Sequence, residues 1–409
     1  LNTPAMRHVN LDPSEHEGEQ FFTLSDPMHI VEETLVLAPA GAFIAMHLDG
    51  HYSVEAIQAK AKEQFGVEEF PIEAIDEIIR QLDELGFMDT QVFENIYEAL
   101  LEDFRTSDTR PAFLAGKSYP ADVDELRTFL GEQFTREGSV ERSLAKSPGE
   151  GLPLAGLFAP HIDLHRGGHS YSHAYDALFS SGRPDTVIIF GVAHMAEPVP
   201  YILTRKHFET PFGTMKTDTT IVDRLSKACT WDPFEFELCH RTEHSIEFQV
   251  LMLSYLYGPD VTIVPVLTSY FGEGRDCVEG EDAQPIHRFL DECRAVVEES
   301  GGKTTVVAGV DLAHIGPCFG DDSEIDDDDI AYAEERDRED LAHVISMDTS
   351  AFFRSVMKDD NERHVCGYKA MYSAMWTLQG TATDGELLHH DHAHDPSGGV
   401  VTFASMALK

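Results

Sequence analysis

Three histidines follow apolar runs of the kind that form buried strands. His161 follows the run from Pro153 to Ala159, His194 follows Thr186-Val187-Ile188-Ile189-Phe190, and His314 follows Thr304 to Val310. In an open α/β sheet, ligands bind beyond the carboxyl ends of the strands. If these runs are parallel neighbours, the three imidazoles share one rim. Imidazoles gathered there suit metal ligation or proton transfer. A single strand-end histidine is ordinarily structural, whereas three at equivalent places point to a common site. The chain is rich in this residue type, with 21 histidines.

The neighbours of these histidines add detail. His161 lies in Pro160-His161-Ile162-Asp163-Leu164-His165-Arg166-Gly167-Gly168-His169, where glycines allow close backbone approach and Asp163 or another nearby carboxylate could orient an imidazole. The same string also reads as a plain polar loop. Asp311, three residues before His314, reads equally as an acid partner and as a helix N-cap. Glu243-His244-Ser245-Ile246-Glu247 opens a helix, with His244 and Glu247 on one face; capping and a helix-surface contact compete with ligation there. Cys366 precedes a helical run from Tyr368 to Leu378. A thiolate at a helix N-terminus has a lowered pKa and ligates metals, although a lone cysteine is commonly a small buried apolar residue. The run His389-His390-Asp391-His392-Ala393-His394 fits a polar hairpin before the last strand, Val400 to Ala404, better than a metal cluster. Walker A, HExxH, GxSxG and GxGxxG patterns are absent, which lowers nucleotide-driven chemistry, zincin-type proteolysis and an α/β-hydrolase triad.

The elements that must position these groups fall into two patterns. Three of four continuous apolar runs carry the histidines; the fourth is Val261 to Leu267. Such runs, without alternation, fit strands buried on both faces of a largely parallel sheet. This α/β region, with helices flanking the sheet, is expected from residue 151 to 409. Before it, residues 1–105 read as a small domain. Leu35-Val36-Leu37 is a strand and Ala40 to Leu48 a helix. Ser53 caps a second helix that Gly66 stops. Ile72, Ile75, Ile78, Ile79, Leu82 and Leu85 mark a third, ended by Gly86 before a terminal strand at Phe87-Met88. That order predicts a winged-helix shape. Residues 106–150 are expected to be a helical linker, closed by Ser147-Pro148-Gly149-Glu150-Gly151.

Composition bounds the partners. The 409 residues carry 30 basic and 73 acidic side chains, a net charge of −43. A field of that sign repels phosphate, so neither nucleic acid nor an anionic membrane is expected as a partner. The acidity also fits adaptation to high internal salt. The dense acidic stretch from Asp321 to Asp340 reads as solvated surface. No window of about 18 apolar residues predicts a transmembrane helix, and Leu1-Asn2-Thr3-Pro4 does not read as a leader. Six cysteines without a CxxC pair read as reduced thiols, which predicts a cytoplasmic protein.

Several strings occur in one order: Ala159-Pro160-His161, Gly191-Val192-Ala193-His194, Thr210-Pro211-Phe212-Gly213 with Asp218, Glu243-His244-Ser245-Ile246-Glu247, Asp311-Leu312-Ala313-His314 and Cys366-Gly367. Together they resemble the Memo family over about residues 150 to 409. Bacterial members are named as protein B of the AmmeMemoRadiSam system, after neighbours that include a radical SAM enzyme. The Memo fold is similar to that of class III extradiol dioxygenases. The resemblance implies one metal ion on His161, His194 and Cys366, with His314 in the acid/base position, His244 lining the pocket and Asp311 beside it. Cysteine replaces the glutamate of the dioxygenases, and a thiolate favours iron, copper or zinc over magnesium. This chain departs from the animal pattern at Ile162-Asp163 and at Met195. The segment Leu48-Asp49-Gly50-His51-Tyr52-Ser53-Val54-Glu55, with Ile57, Phe65-Gly66 and Leu82 to Phe87, resembles PqqD-like winged-helix domains, which pair a peptide strand with a sheet edge.

The expected function is therefore a non-haem metal-dependent oxidoreductase, with iron as the foremost metal. Its substrate would be a small molecule or a peptide, and a radical SAM enzyme would be a partner. A metal-carrying or peptide-binding adaptor without turnover is the alternative from another class, and a zinc-dependent hydrolase is the third.

Overall fold

The computed structural model describes residues 3–16, 18–195, 197–272, 274 and 277–409. The first two residues of the string read for a leader lie outside these. The chain forms two compact units, Leu1–Ser107 and Asp108–Lys409.

The first unit begins with three strands, β1 (Asn10–His16), β2 (Glu19–Ser25) and β3 (Leu35–Leu37), followed by four helices, α1 (Pro39–Met46), α2 (Val54–Phe65), α3 (Ile72–Glu84) and α4 (Gln91–Thr106). The strands form an antiparallel sheet in the order β1-β2-β3. Ser53 caps α2 by accepting the amide of Ala56, and Gly66 ends it in the left-handed conformation. Ile75 and Leu82 of α3 share a core with Leu24, Ile44, Ile57 and Phe87, as their spacing requires. The expected terminal strand is reduced to one bridge, Met88 to Met6. The β1–β2 hairpin has no counterpart in the sequence reading, because its alternation is weak and most of its residues are partly exposed.

One buried ion pair organises this unit. Asp26 accepts the amides of Met28, Ile30 and Val31 at 2.9, 2.7 and 2.9 Å. Arg7 Nη1 lies 2.9 Å from the same carboxylate. Burial pushes the Asp26 carboxyl up, but Arg7 and the amides outweigh it and hold it below the usual range.

The second unit contains β4 (Thr109–Arg110), α5 (Val123–Gln133), β5 (Gly156–Ala159), α6 (Leu164–Ser181), β6 (Thr186–Val192), β7 (Tyr201–Leu203), β8 (His207–Thr210) and β9 (Gly213–Met215). There follow α7 (Thr219–Ser226), α8 (His244–Tyr257), β10 (Thr262–Thr268), α9 (Gln284–Glu299), β11 (Thr304–Gly309) and β12 (His314–Ile315). The unit ends with α10 (Asp327–Ile345), α11 (Thr349–Val356), α12 (Tyr368–Thr377), β13 (Gly385–Asp395) and β14 (Gly399–Leu408). The main sheet runs β12-β14-β5-β11-β6-β10-β7, with β13 paired to β14. The neighbours β5, β11, β6 and β10 are parallel. The flanking β7, β12, β13 and β14 pair antiparallel. The expected mixed, largely parallel sheet flanked by helices is thus present.

Its strands are buried on both faces, as unbroken apolar runs require. Ile188 and Phe190 of β6 pack in one core with residues of α9 and α12. Val187 and Ile189 pack in the other with α5, α6 and α8. Residues 108–150 belong to this second unit. Within it, Leu126 and Leu130 of α5 join the same core as Tyr171 and Leu178 of α6. Among the described residues, no helix is long and apolar enough to cross a membrane.

Replacing Asp26 with Asn should lower the free energy of unfolding by about 3 kcal/mol, because it leaves Arg7 buried without its counter-charge. A denaturant melt of the whole chain, followed by hydrogen exchange within residues 19–88, measures the loss and its location.

Candidate metal centre

The parallel order β5-β11-β6 puts the ends of β5 and β6 on either side of β11. His161 lies two residues beyond β5, and His194 two beyond β6. The first turn of α8 seats over the same rim. It approaches so closely that a Cβ at Gly309 would stand 2.3 Å from the Ser245 carbonyl oxygen, and one at Gly191 would stand 2.5 Å from Ile246 Cγ1. Only glycine at both strand ends admits the helix. The loop before α12 arrives in the same way: a Cβ at Gly367 would meet Val310 Cβ at 2.5 Å. That contact seats the neighbouring Cys366.

The groups meet. Rings of His161 and His194 are 5.0 Å apart between centroids, and His244 lies 5.1 Å from His161 and 4.5 Å from His194. Cys366 Sγ stands 3.3 Å from His161 Nε2. One ligand atom from each of His161, His194 and Cys366 falls within 4.8 Å of the other two. A transition metal bound by nitrogen and sulfur at about 2.0–2.3 Å spans that spread with small side-chain adjustments.

Hydrogen bonds fix which ring nitrogens are available. His161 Nδ1 is 3.0 Å from the Gly309 carbonyl oxygen, so it carries a proton and donates it. His194 Nδ1 donates to Glu243, 3.0 Å from Oε1 and 3.1 Å from Oε2. His314 Nδ1 donates to the Leu312 carbonyl at 3.1 Å. In each ring Nε2 is left for the pocket, the arrangement that metal-binding histidines use.

Two carboxylates organise these rings. Asp311 Oδ1 accepts the His161 amide at 2.9 Å, and its Oδ2 is 3.5 Å from His161 Nε2. Among the described residues it is the N-cap of no helix, and its carboxylate faces His161. Glu243 accepts the amides of His194 and Ser245 at 3.1 and 2.9 Å and lies 3.3 Å from His244 Nδ1. Asp163, considered for such a role, instead caps α6 and pairs with Arg166. Glu247 also leaves the site. It pairs with the fully buried Arg110 and accepts from Tyr119 at 2.6 Å and from the Leu114 amide at 2.9 Å. Arg110 reaches on to the Glu243 carbonyl at 3.1 Å and the His240 carbonyl at 2.9 Å. Thus β4, in a stretch read as linker, braces the start of α8.

The electrostatics follow. Burial would raise the Cys366 thiol, but His161, His314 and His194 outweigh it and pull it down to about 5. Burial opposes protonation of His161, yet Asp311 and the Cys366 thiolate raise it. His194 is raised against the same burial by Glu243 and Cys366. His244 goes the other way: burial holds it down to about 3 despite Glu243, so it stays neutral.

A second group, His169, His389 and Asp391, has ligand atoms equally close together. Its hydrogen bonds differ. Arg136 Nη2 is 2.8 Å from His169 Nδ1. Arginine only donates, so Nδ1 accepts, and Nε2 spends its proton on Asp391 at 2.9 Å. His169 offers no free lone pair. The histidine run forms β13, whose hairpin with β14 is the expected one. Thr210 and Gly213, in the most distinctive string besides Glu-His-Ser-Ile-Glu, close the β8–β9 turn through a 2.8 Å bond. Asp218 caps α7. Both are structural.

Fold and site define an α/β protein with a candidate His/His/Cys metal centre at the carboxyl rim of its sheet. A family profile described as Memo-like protein matches residues 110–407, and the chain belongs to that family. A MEMO1 family protein of Aquifex aeolicus is 26% identical over 407 residues, covering 99% of both chains. One from Methanopyrus kandleri is 27% identical over 305 residues, 73% of this chain and 99% of its own. One from Thermus thermophilus is 28% identical over 276 residues, 66% of this chain and 73% of its own.

Replacing Arg110 with Met leaves the Glu247 carboxylate buried without its cation and should cost about 3–5 kcal/mol. The double variant with Glu247→Gln should recover part of this. A double-mutant cycle on denaturation midpoints measures the coupling.

Proposed function

We propose that this protein is a non-haem metal-dependent oxidoreductase that holds one transition-metal ion on His161, His194 and Cys366. The observation that carries the reading is the convergence of two Nε2 atoms and one thiolate sulfur, with each ring oriented by a hydrogen bond at Nδ1. The thiolate favours iron, copper or zinc over magnesium, and iron, which combines affinity for this set with redox activity, is the metal we assign. A bound ion would supply Lewis acidity and one-electron redox chemistry.

The chain's own groups then divide the remaining work. His314, with Nδ1 committed to a carbonyl, has Nε2 free to take a proton from a substrate hydroxyl and return it. His244 is neutral and presents an imidazole that accepts a substrate hydrogen bond. Asp311 keeps His161 in place. The substrate we assign is a small molecule or a peptide. The first unit supports the peptide choice, since β1 and β3 are the outer strands of its three-stranded sheet and an extended segment adds to such an edge. A radical SAM enzyme would be the partner that supplies or receives that peptide.

Anaerobic purification with elemental analysis tests the centre. About one metal ion per chain is expected in the parent protein, with near-complete loss in His161→Ala and His194→Ala; full metal in both variants removes the assignment. Oxygen uptake lost in His314→Gln supports turnover. Its absence under every substrate leaves a metal carrier, and better activity with zinc than with ferrous iron points to hydrolysis.

The pH dependence has a definite sign. Metal must displace the protons that the raised pKa values keep on His161, which lies near 9, and on His194, whereas Cys366 is already ionised above about 5. Affinity should therefore rise with pH between 6 and 8, by roughly tenfold per unit for each displaced proton. Zinc competition titrations at several pH values read this slope; a flat profile contradicts it.

A further inference from the structure

A buried charged cluster lies outside the proposed ligand set, and its side chains bond to none of the three ligands. Arg363 is 3% exposed, Asp337 is fully buried and Asp340 is 2% exposed. Arg363 Nη1 donates to Asp337 Oδ1 at 2.8 Å, and Nη2 donates to Asp340 Oδ2 at 2.6 Å. Both acids project from α10. Asp337 Oδ2 also takes the Thr402 hydroxyl proton at 2.5 Å, with His390 Nε2 at 3.3 Å.

From this cluster, bonds run to the two segments that matter most. The Thr402 hydroxyl oxygen accepts the Ala313 amide at 2.8 Å. The Arg363 carbonyl accepts the His314 amide at 2.7 Å. Arg363 stands three residues before Cys366. The loop between α11 and α12 holds Asp360, Asn361 and His364 at positive φ, 56°, 60° and 49°. Asp, Asn and His are the non-glycine residue types that most readily adopt that conformation, and three of them so close together make a tightly turned loop. Inside this loop the Arg363 side chain is pinned at both ends of its guanidinium, and the Asn361 side chain accepts the Val365 amide at 2.9 Å.

We propose that Arg363 is a positioning residue: held between Asp337 and Asp340, it locks the Cys366 loop against the Asp311–His314 segment, so that the thiolate and the His314 ring face one pocket. The importance of that register rests on the metal-centre reading above; the clamp itself does not. An arginine is required because only a planar two-sided donor spans both carboxylates while its backbone carbonyl holds His314. Thr402 and the β12–β14 ladder carry the same constraint to Ala313 from the opposite side.

Cobalt(II) titration and amide hydrogen exchange on the full chain test this in Arg363→Met, Arg363→Lys, Thr402→Val and Cys366→Ser. In Arg363→Met, cobalt affinity should fall about 10- to 100-fold. The thiolate-to-cobalt absorption band should weaken relative to the ligand-field bands. Exchange should speed at least tenfold, by our reckoning on the lost clamp, in residues 311–315 and 364–367 but not in β6 or β10. Arg363→Lys, which restores the charge but not the fork, should recover part of the affinity. Wild-type cobalt affinity and spectrum in Arg363→Met, or exchange raised uniformly over both units, overturns the proposal. If Arg363→Met does not fold, Thr402→Val decides by the same readouts, since it removes only one hydroxyl. If the parent protein and Cys366→Ser give the same cobalt spectrum, the thiolate-ligand reading fails; localised exchange in Arg363→Met would still support the clamp.

Discussion

The Glu243 carboxylate is the interaction on which the site's geometry depends. It sits at the first turn of α8, nearly buried, and gathers N–H groups from both sides of a cleft between helix and sheet. From the sheet side come the His194 amide and ring; from the helix side come the Ser245 amide and the His244 ring. Burial alone would raise its pKa, yet His194 and these donors hold it well below the ordinary carboxylate range. A buried anion of this kind is stable only while its donors stay in place. It therefore fixes the helix against the strand end, and it fixes the tautomer of His194 with it. The close approach at Gly191 and Gly309 is the steric half of the same arrangement.

That constraint explains why the supporting polar groups lie in a chain rather than a scatter. Arg110 neutralises Glu247 one turn along α8 and takes the Glu243 carbonyl. On the far side, Asp311 accepts the His161 amide as Glu243 accepts that of His194, while the Gly309 carbonyl sets the His161 tautomer. A buried pair gains little net stability over apolar packing, and its loss is costly. Such pairs are poor investments for stability alone. Their placement, one under each segment that carries a pocket-facing group, is what a site of defined geometry requires.

Much of the architecture was legible in the sequence, and the reasons are physical. The runs at 186–190, 261–267 and 304–310 are too apolar for one exposed face, so they had to be central strands. Their shared rim follows from the rule for parallel sheets. Ser53, Gly66 and Gly86 marked helix ends because capping and positive φ are local. The helix beginning at His244 was legible for the same reason. What stayed hidden depends on long-range pairing. Nothing near Arg110 or Tyr119 in sequence announces Glu247, more than a hundred residues away. The weakly alternating β1–β2 hairpin had no periodic signal. Asp311 had two local readings, and only the fold shows that it faces His161. The Memo resemblance supplied Cys366, which residue type alone left as an ordinary buried thiol.

The contrast between two histidine clusters in one unit shows what separates a ligand set from a polar contact. Around His161, His194 and His314, the second nitrogen of each ring donates to an oxygen, so the pocket receives lone pairs. Around His169 the second nitrogen accepts from Arg136, so the ring turns a proton, not a lone pair, toward Asp391. Density alone points to the second cluster, since His389 to His394 is the richest run in the chain, but adjacent ligands rarely converge and the run already read as a hairpin. Tautomer control favours the first. The same logic bears on Cys366. Its thiolate lies among imidazoles that lower its pKa and that would give up protons to a bound metal. Ionised sulfur and neutral nitrogen are then presented together, a donor combination that hard, oxygen-seeking cations bind poorly. In a chain with 73 acidic residues, where carboxylates offer such cations many alternatives, that combination would set the metal preference of the centre we propose.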